Sequence, residues 1–315
     1  MTLHLAVALD GAGWHPAAWR EPDARPRELL TAQYWTDLIR TAESGKLDFV
    51  TIEDSLGPGP DGTDQVRGRL DAVLIASRVA PLTSHIGLLP TAVATHTEPF
   101  HLSKAIATLD YVSNGRAGVN VEVSTDERDY RHFGRRAFPS PGLLQEAKDY
   151  IEVLRRLWDS WQDDAEIRDV ATGRFVDREK LHYIDFEGQW FAVKGPSITP
   201  RPPQGQPLVA GPYANDTDIV FTEPDAPIEH ERTFADVRVL LDSDAKALAD
   251  QVITLSGKGF AGVRLHPGRL PHDLDLIVSR VVPELQERGV FRREYQATTL
   301  RGLFGLPKPA NRYAA

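Results

Sequence analysis

Three side chains in this sequence stand where protons could be moved. His96 follows Thr95 at the end of a predicted strand, where a neutral imidazole can serve as a general base near pH 7 or can simply hydrogen-bond its own loop. His15 lies in GAGWHPAAW after the first predicted strand, and Trp14 and Trp19 beside it can wall an apolar pocket or pack a long loop. Glu122 falls near the end of another strand, pointing either into a pocket or out to a helical layer; inside a dry pocket its carboxyl would ionise late and act as an acid. Asp54, next to Glu53, reads as a catalytic carboxylate or as one bonded to backbone. Ten histidines raise the question of a metal, yet no H-E-x-x-H spacing occurs, and His96 and His101 span a strand-to-helix turn, so no metal site is expected. The charged cluster 126–131 reads as a solvated loop, and the glycines of GPGPDG open no helix and form no dinucleotide fingerprint.

The chemistry available is bounded by composition. Cysteine is absent, which removes thiolate nucleophiles, disulfides and Cys-based metal centres, so any redox step needs a cofactor. A formal net charge of −9 without a basic cluster argues against nucleic acid and anionic membrane as partners. No apolar run approaches transmembrane length and the first residues show no leader pattern, so a cytoplasmic location is expected.

The elements that must position these groups alternate between short apolar runs and amphipathic stretches, the pattern of a parallel sheet with crossover helices. Strands are predicted over 3–9, 47–52, 85–89, 117–123, 208–210, 237–241 and 262–265. Helices are predicted over 33–44, 65–79, 99–112, 143–161, 244–255 and 272–288, with a hairpin over 182–193. PRPPQG reads as a rigid loop bracing a rim. Between Val209 and Asp218 there is no room for a crossover helix, since a complete crossover takes at least about 10–12 residues. The expected fold is α/β, one domain over 1–315.

Several long stretches resemble the flavin-dependent monooxygenases of the bacterial-luciferase-like superfamily, in the branch containing nitrilotriacetate, EDTA and dibenzothiophene-sulfone monooxygenases. They are AWREPDARP at 18–26, AESGKLDFVTIEDS, GLLPTAVATHTEPFHLSKAIATLDYVSNGRAGVN at 87–120, GPSITPRPPQGQP and the closing run at 281–313. The resemblance implies a (β/α)8 TIM-type barrel, reduced FMN from a separate flavin reductase, and insertion of one oxygen atom from O2 into a small organic substrate. It also implies a cofactor-binding set at strand ends, Asp54, Thr95 and Asn120, with Thr95 and Asn120 at the flavin ring, and His96, His15 and Glu122 as catalytic candidates.

Four positions depart from the pattern. The family's Arg-Tyr pair at the start of the fourth helix falls on Leu143-Leu144, and its glycine-rich phosphate turn is replaced by AGPYAND at 210–216. The connection 221–236 is too short for the usual helix, and an insertion before the last strand is missing over 245–258. Arg131, Arg135 or Arg136 then become alternative anchors for a phosphate. The same departures suit a flavin-free lyase, isomerase or cyclase on this barrel, or a non-catalytic partner subunit. Shortened crossovers are expected to leave apolar barrel surface for a homodimer to cover.

Overall fold

In a strand, successive side chains point to opposite faces, and here that alternation separates two cores. The computed structural model describes residues 3–57, 59, 62–133, 142–213, 215–242 and 244–314. Its main sheet is a closed barrel of eight parallel strands, β1 His4–Leu9, β2 Phe49–Ile52, β3 Gly87–Val93, β4 Gly118–Glu122, β5 Leu208–Gly211, β6 Ile219–Thr222, β7 Thr233–Val239 and β8 Gly262–Pro267. Leu5, Val7, Val50, Val119 and Val263 face outward into the helical layer. Ala6, Phe49, Leu89, Leu208, Phe221 and Phe234 fill the barrel itself, joined by Leu300.

Helices α1 Ala32–Ser44, α2 Ala72–Val79 and α3 Pro99–Val112 cover the first half. Thr31 and Asp71 cap α1 and α2 by accepting from the Tyr34 and Leu74 N–H groups. Helix α2 is shorter than expected: 65–71 is not helical, because Gly68 takes a positive φ and Asp71 acts as the cap. Strand β3 runs past Pro90, and β7 begins at Thr233, ahead of the apolar run that suggests it. The stretch expected as a solvated loop is instead helix α4, Glu127–Phe133, whose Asp129 is buried and accepts from Ser124 Oγ at 2.6 Å.

Helix α5, Leu143–Asp159, leads to two small hairpins and then to the proline-rich loop, which is braced as expected. Gln204 donates to Asp110 and to the Ala117 carbonyl, and Arg201 pairs with Asp159 and Asp163. Helix α6, Ala245–Gly257, precedes β8. After it, α7 His272–Leu276 passes through a π-helical turn, Ile277–Val281, into α8 Val282–Glu287. Pro283 lacks the N–H that a regular turn would use, which accounts for the widening there. No helix among the described residues is long and apolar enough to cross a membrane.

The second half of the barrel is irregular, as the sequence predicts. Among the described residues no helix separates β5 from β6 or β6 from β7, and β6 itself was not foreseen. Asp218 ties the first connection down by accepting from Val209 N and Arg155, while Arg232 donates to the Asp218 carbonyl. Among the described residues the outward Val209, Val220, Ala235 and Val237 are buried, whereas Ile228 in the second connection stays exposed.

Candidate active site at the barrel mouth

Above the Phe layer, the inward positions become polar at the C-terminal ends of the strands, where barrels of this kind carry their chemistry. Register pairs Asp236 on β7 with Arg264 on β8, and the guanidinium donates to both carboxylate oxygens at 2.6 and 2.7 Å. Arg264 also lies 3.6 Å over the Phe221 ring and 3.7 Å from Glu53 Oε1, which accepts from Thr51 at 2.7 Å. His266 Nε2 stands 3.1 Å from Asp236 Oδ1. Across the mouth, Asn120 donates to Thr91 Oγ1 at 3.1 Å and to Glu122 Oε1 at 3.0 Å.

The charges in this ring are unequal in their partners. Burial alone would pull the Arg264 guanidinium down, but the hydrogen bonds and charge of Asp236, with Glu53 and Glu122, hold it above its ordinary value. Asp236 resists the upward push of burial because Arg264 and His266 keep it below the usual carboxylate range. Glu122 goes the other way: burial first and the charge of Glu53 second raise its carboxyl, outweighing the Asn120 hydrogen bond and the charge of Arg264. Among the described residues Glu122 forms no ion pair. Asn120, 1% exposed, has an Oδ1 with no hydrogen-bond partner among those residues, which costs about 1–3 kcal/mol if left unmet.

Beside this ring, a cavity of about 160 Å³ opens between the ends of β1 and β2. Asp10, Glu53, Arg69 and His15 line it together with the apolar Trp14, Leu29, Trp35 and Leu70. The loop after β1 lies directly on the loop after β8. Gly13 has φ +109 and its missing Cβ would sit 2.2 Å from the Gly268 carbonyl, so only glycine allows this approach. Trp14 Nε1 donates to the His266 carbonyl and completes the seam.

The expected site residues do not converge. His15 lines the β1–β2 cavity, where its Nδ1 accepts from Ala17 N. His96 lines a separate cleft of about 670 Å³ over α2, α3 and α4; its φ of +67 is left-handed, and its ring lies against Tyr130 and stacks on Phe133. Glu122 is the one catalytic candidate in the barrel ring, pointing inward. Thr95 Oγ1 accepts from Ser124 N, and Asp54 accepts from Ser55 N and Ala72 N, so both brace loops. Asp10, Asp236, Arg264 and His266 were missed. Strict alternation in TFADV and GVRLH would have put three of them on one inward face.

Comparison with known proteins decides the family. Residues 12–216 match the model of the luciferase-like monooxygenases. The chain belongs to this family of enzymes. N-acetyl-S-(2-succino)cysteine monooxygenase of Bacillus subtilis (strain 168) is 31% identical over 434 aligned positions, covering 99% of this chain and 98% of that protein. Since this chain has 315 residues, that relative carries segments with no counterpart here. One of the subunits of pristinamycin IIA synthase from Streptomyces pristinaespiralis aligns over only 294 positions at 29% identity, covering 89% of this chain and 91% of that one. The solved EDTA monooxygenase from Chelativorans sp. BNC1 superposes with a TM-score of 0.85 at 18% identity, covering 98% of this chain and 99% of that one, which is a likeness of fold.

The luciferase-like monooxygenases imply a flavin, and the residues present meet its two ends differently. A ring with polar edges suits the unpartnered Asn120 Oδ1 and the Thr91 hydroxyl beneath the mouth. The phosphate does not find the expected helix N-terminus: the connection after β5 carries Asp216 and Asp218, which engage Lys148 and Arg155. Arg131 is paired with Glu127, whereas Arg135 and Arg136 lie outside the described residues.

Proposed function

We propose that this luciferase-like enzyme takes reduced FMN, delivered by a separate reductase, at the barrel mouth and uses O2 to oxygenate a small organic substrate. The observation that carries the reading is the buried Asn120, whose Oδ1 offers, at the mouth of the barrel, an acceptor with no donor among the described residues. Flavin, when bound, supplies the activation of O2. The chain's own groups do the rest: Asn120 and Thr91 orient a polar ring edge, and Arg264 keeps Asp236 ionised. Glu122 keeps a proton to higher pH than an ordinary glutamate, and the Trp14 and Leu70 walls exclude water. His15 is carried as the catalytic candidate nearest the substrate cavity. Titration with FMN in both oxidation states tests the reading, since Asn120→Ala must weaken binding if the amide holds the ring.

A second reading is favoured by the acidic turn in place of a phosphate cradle and by the 294-position alignment to one subunit of a synthase. In it the chain is the shorter subunit of a two-subunit enzyme whose longer, homologous partner holds the flavin. Tagged chain recovered from its own cell extract would then carry a full-length luciferase-like homologue in equal amount; recovery of the chain alone would reject this assembly.

A further inference from the structure

A phosphate held at a helix start or in a backbone turn needs N–H groups with nothing else to bond and cations free to meet it. The turn between β5 and β6 has spent both. Pro212 has no N–H, Asp216 and Thr217 donate theirs to the Tyr213 carbonyl at 3.0 and 3.1 Å, and Asp218 donates its own to the Val209 carbonyl at 2.7 Å. The Thr217 hydroxyl goes to the Tyr213 carbonyl as well. Two cations reach this turn and its own carboxylates meet them: Lys148 stands 3.5 Å from Asp216, and Arg155 stands 3.0 Å from Asp218, which also accepts from Val209 N. The other expected anchors are closed in their own ways. At the start of α5, Leu143 and Leu144 are apolar, the Trp190 ring lies 2.3 Å from where a Gly142 Cβ would sit, and the first turn carries the buried Glu146. On α4, Arg131 pairs with Glu127.

The ring end of the site is different. Register pairs Asn120 on β4 with Ala210 on β5, so the Asn120 Oδ1, an acceptor without a partner among the described residues, is one strand away from this closed turn. We infer that the mouth recognises the isoalloxazine ring and leaves the phosphate of FMN in solvent, so that riboflavin, the same ring and side chain without phosphate, binds as well as FMN. A phosphate brought into the turn would have to displace Asp216 or Asp218 from its cation and break hydrogen bonds that close the β5–β6 connection. A flavin held through its ring alone exchanges with solution, which suits a flavin that arrives already reduced. The inference deepens the proposed function by naming which part of the flavin is read, and it rests on that reading in placing the ring at Asn120.

The test is anaerobic titration of reduced riboflavin and reduced FMN into the whole chain at about 0.15 M salt, followed by fluorescence and heat. Riboflavin is expected to bind saturably, within about threefold of FMN or tighter. Asn120→Ala should weaken both flavins at least tenfold and by the same factor, with its far-UV circular dichroism that of the wild type. FMN tighter than riboflavin by more than about threefold, or a variant that loses riboflavin and keeps FMN, overturns this inference and leaves the flavin reading standing. No binding of either flavin, or a folded variant that keeps both, sinks the placing of the ring at Asn120 and this inference with it.

Discussion

Arg264 and Asp236 are register partners on adjacent strands, and their side chains meet inside the barrel through two hydrogen bonds of 2.6 and 2.7 Å. Because the guanidinium lies over Phe221 and has Glu53 on its other side, it crosses the mouth as a charged floor above the aromatic core.

Breaking this pair leaves half-buried carboxylates without their cation. Arg264→Met is expected to cost about 3–5 kcal/mol, and the double variant Arg264→Met, Asp236→Leu should recover most of that loss. Urea denaturation of the three proteins measures both terms. A single variant within about 1 kcal/mol of wild type would mean that the pair is not the floor described.

Glu122 gives a pH signature with a definite sign. Its carboxyl is raised in the folded chain, chiefly by burial, so its stabilising contribution is full below the ordinary glutamate value and is lost as pH rises through the raised one. Glu122→Gln cannot ionise and escapes that loss. Melting temperatures between pH 4 and 8 should therefore show the variant gaining on wild type as pH rises; a constant difference would place Glu122 in contact with solvent.

His96 is held at φ +67 with its ring between Tyr130 and Phe133, which is the geometry of a packed turn residue. Asparagine tolerates the left-handed region and a β-branched residue does not. His96→Val should thus be less stable than His96→Asn by about 1–3 kcal/mol. Equal stabilities in guanidinium denaturation would show that the backbone there is free to relax.

How much of this was legible in the sequence differs between the two halves of the chain. Helix α3 was read with its observed limits because Pro99 marks its first turn and an apolar face runs to Val112. Strand β6 was invisible: four residues with no following helix give no alternation to count. Asp129 looked solvated because its neighbours are charged, and only the fold shows it buried against Ser124. Glu122 stood out as a carboxylate on an apolar strand, and it does face the ring. Arg264 and Asp236 went unnoticed because each sits in its own strand about 28 residues from the other, and only the barrel register brings them together.

The seam at Gly13 shows why the cavity itself could not be read. GAG after a strand signals a turn, but the close packing that would put a Gly13 Cβ 2.2 Å from the Gly268 carbonyl links segments from opposite ends of the chain. Gly13→Ala should therefore strain this seam and cost about 1–3 kcal/mol of stability, as urea denaturation would show. A variant as stable as the wild type would show that the two loops can part without cost.

The account's central claim is that the mouth above Asn120 receives a flavin, and anaerobic titration of reduced FMN into wild-type and Asn120→Ala protein tests it most directly. The account predicts saturable binding to the wild type that is at least tenfold weaker in the variant, about 1.4 kcal/mol. No binding to the wild type, or the same affinity in both proteins, would contradict it.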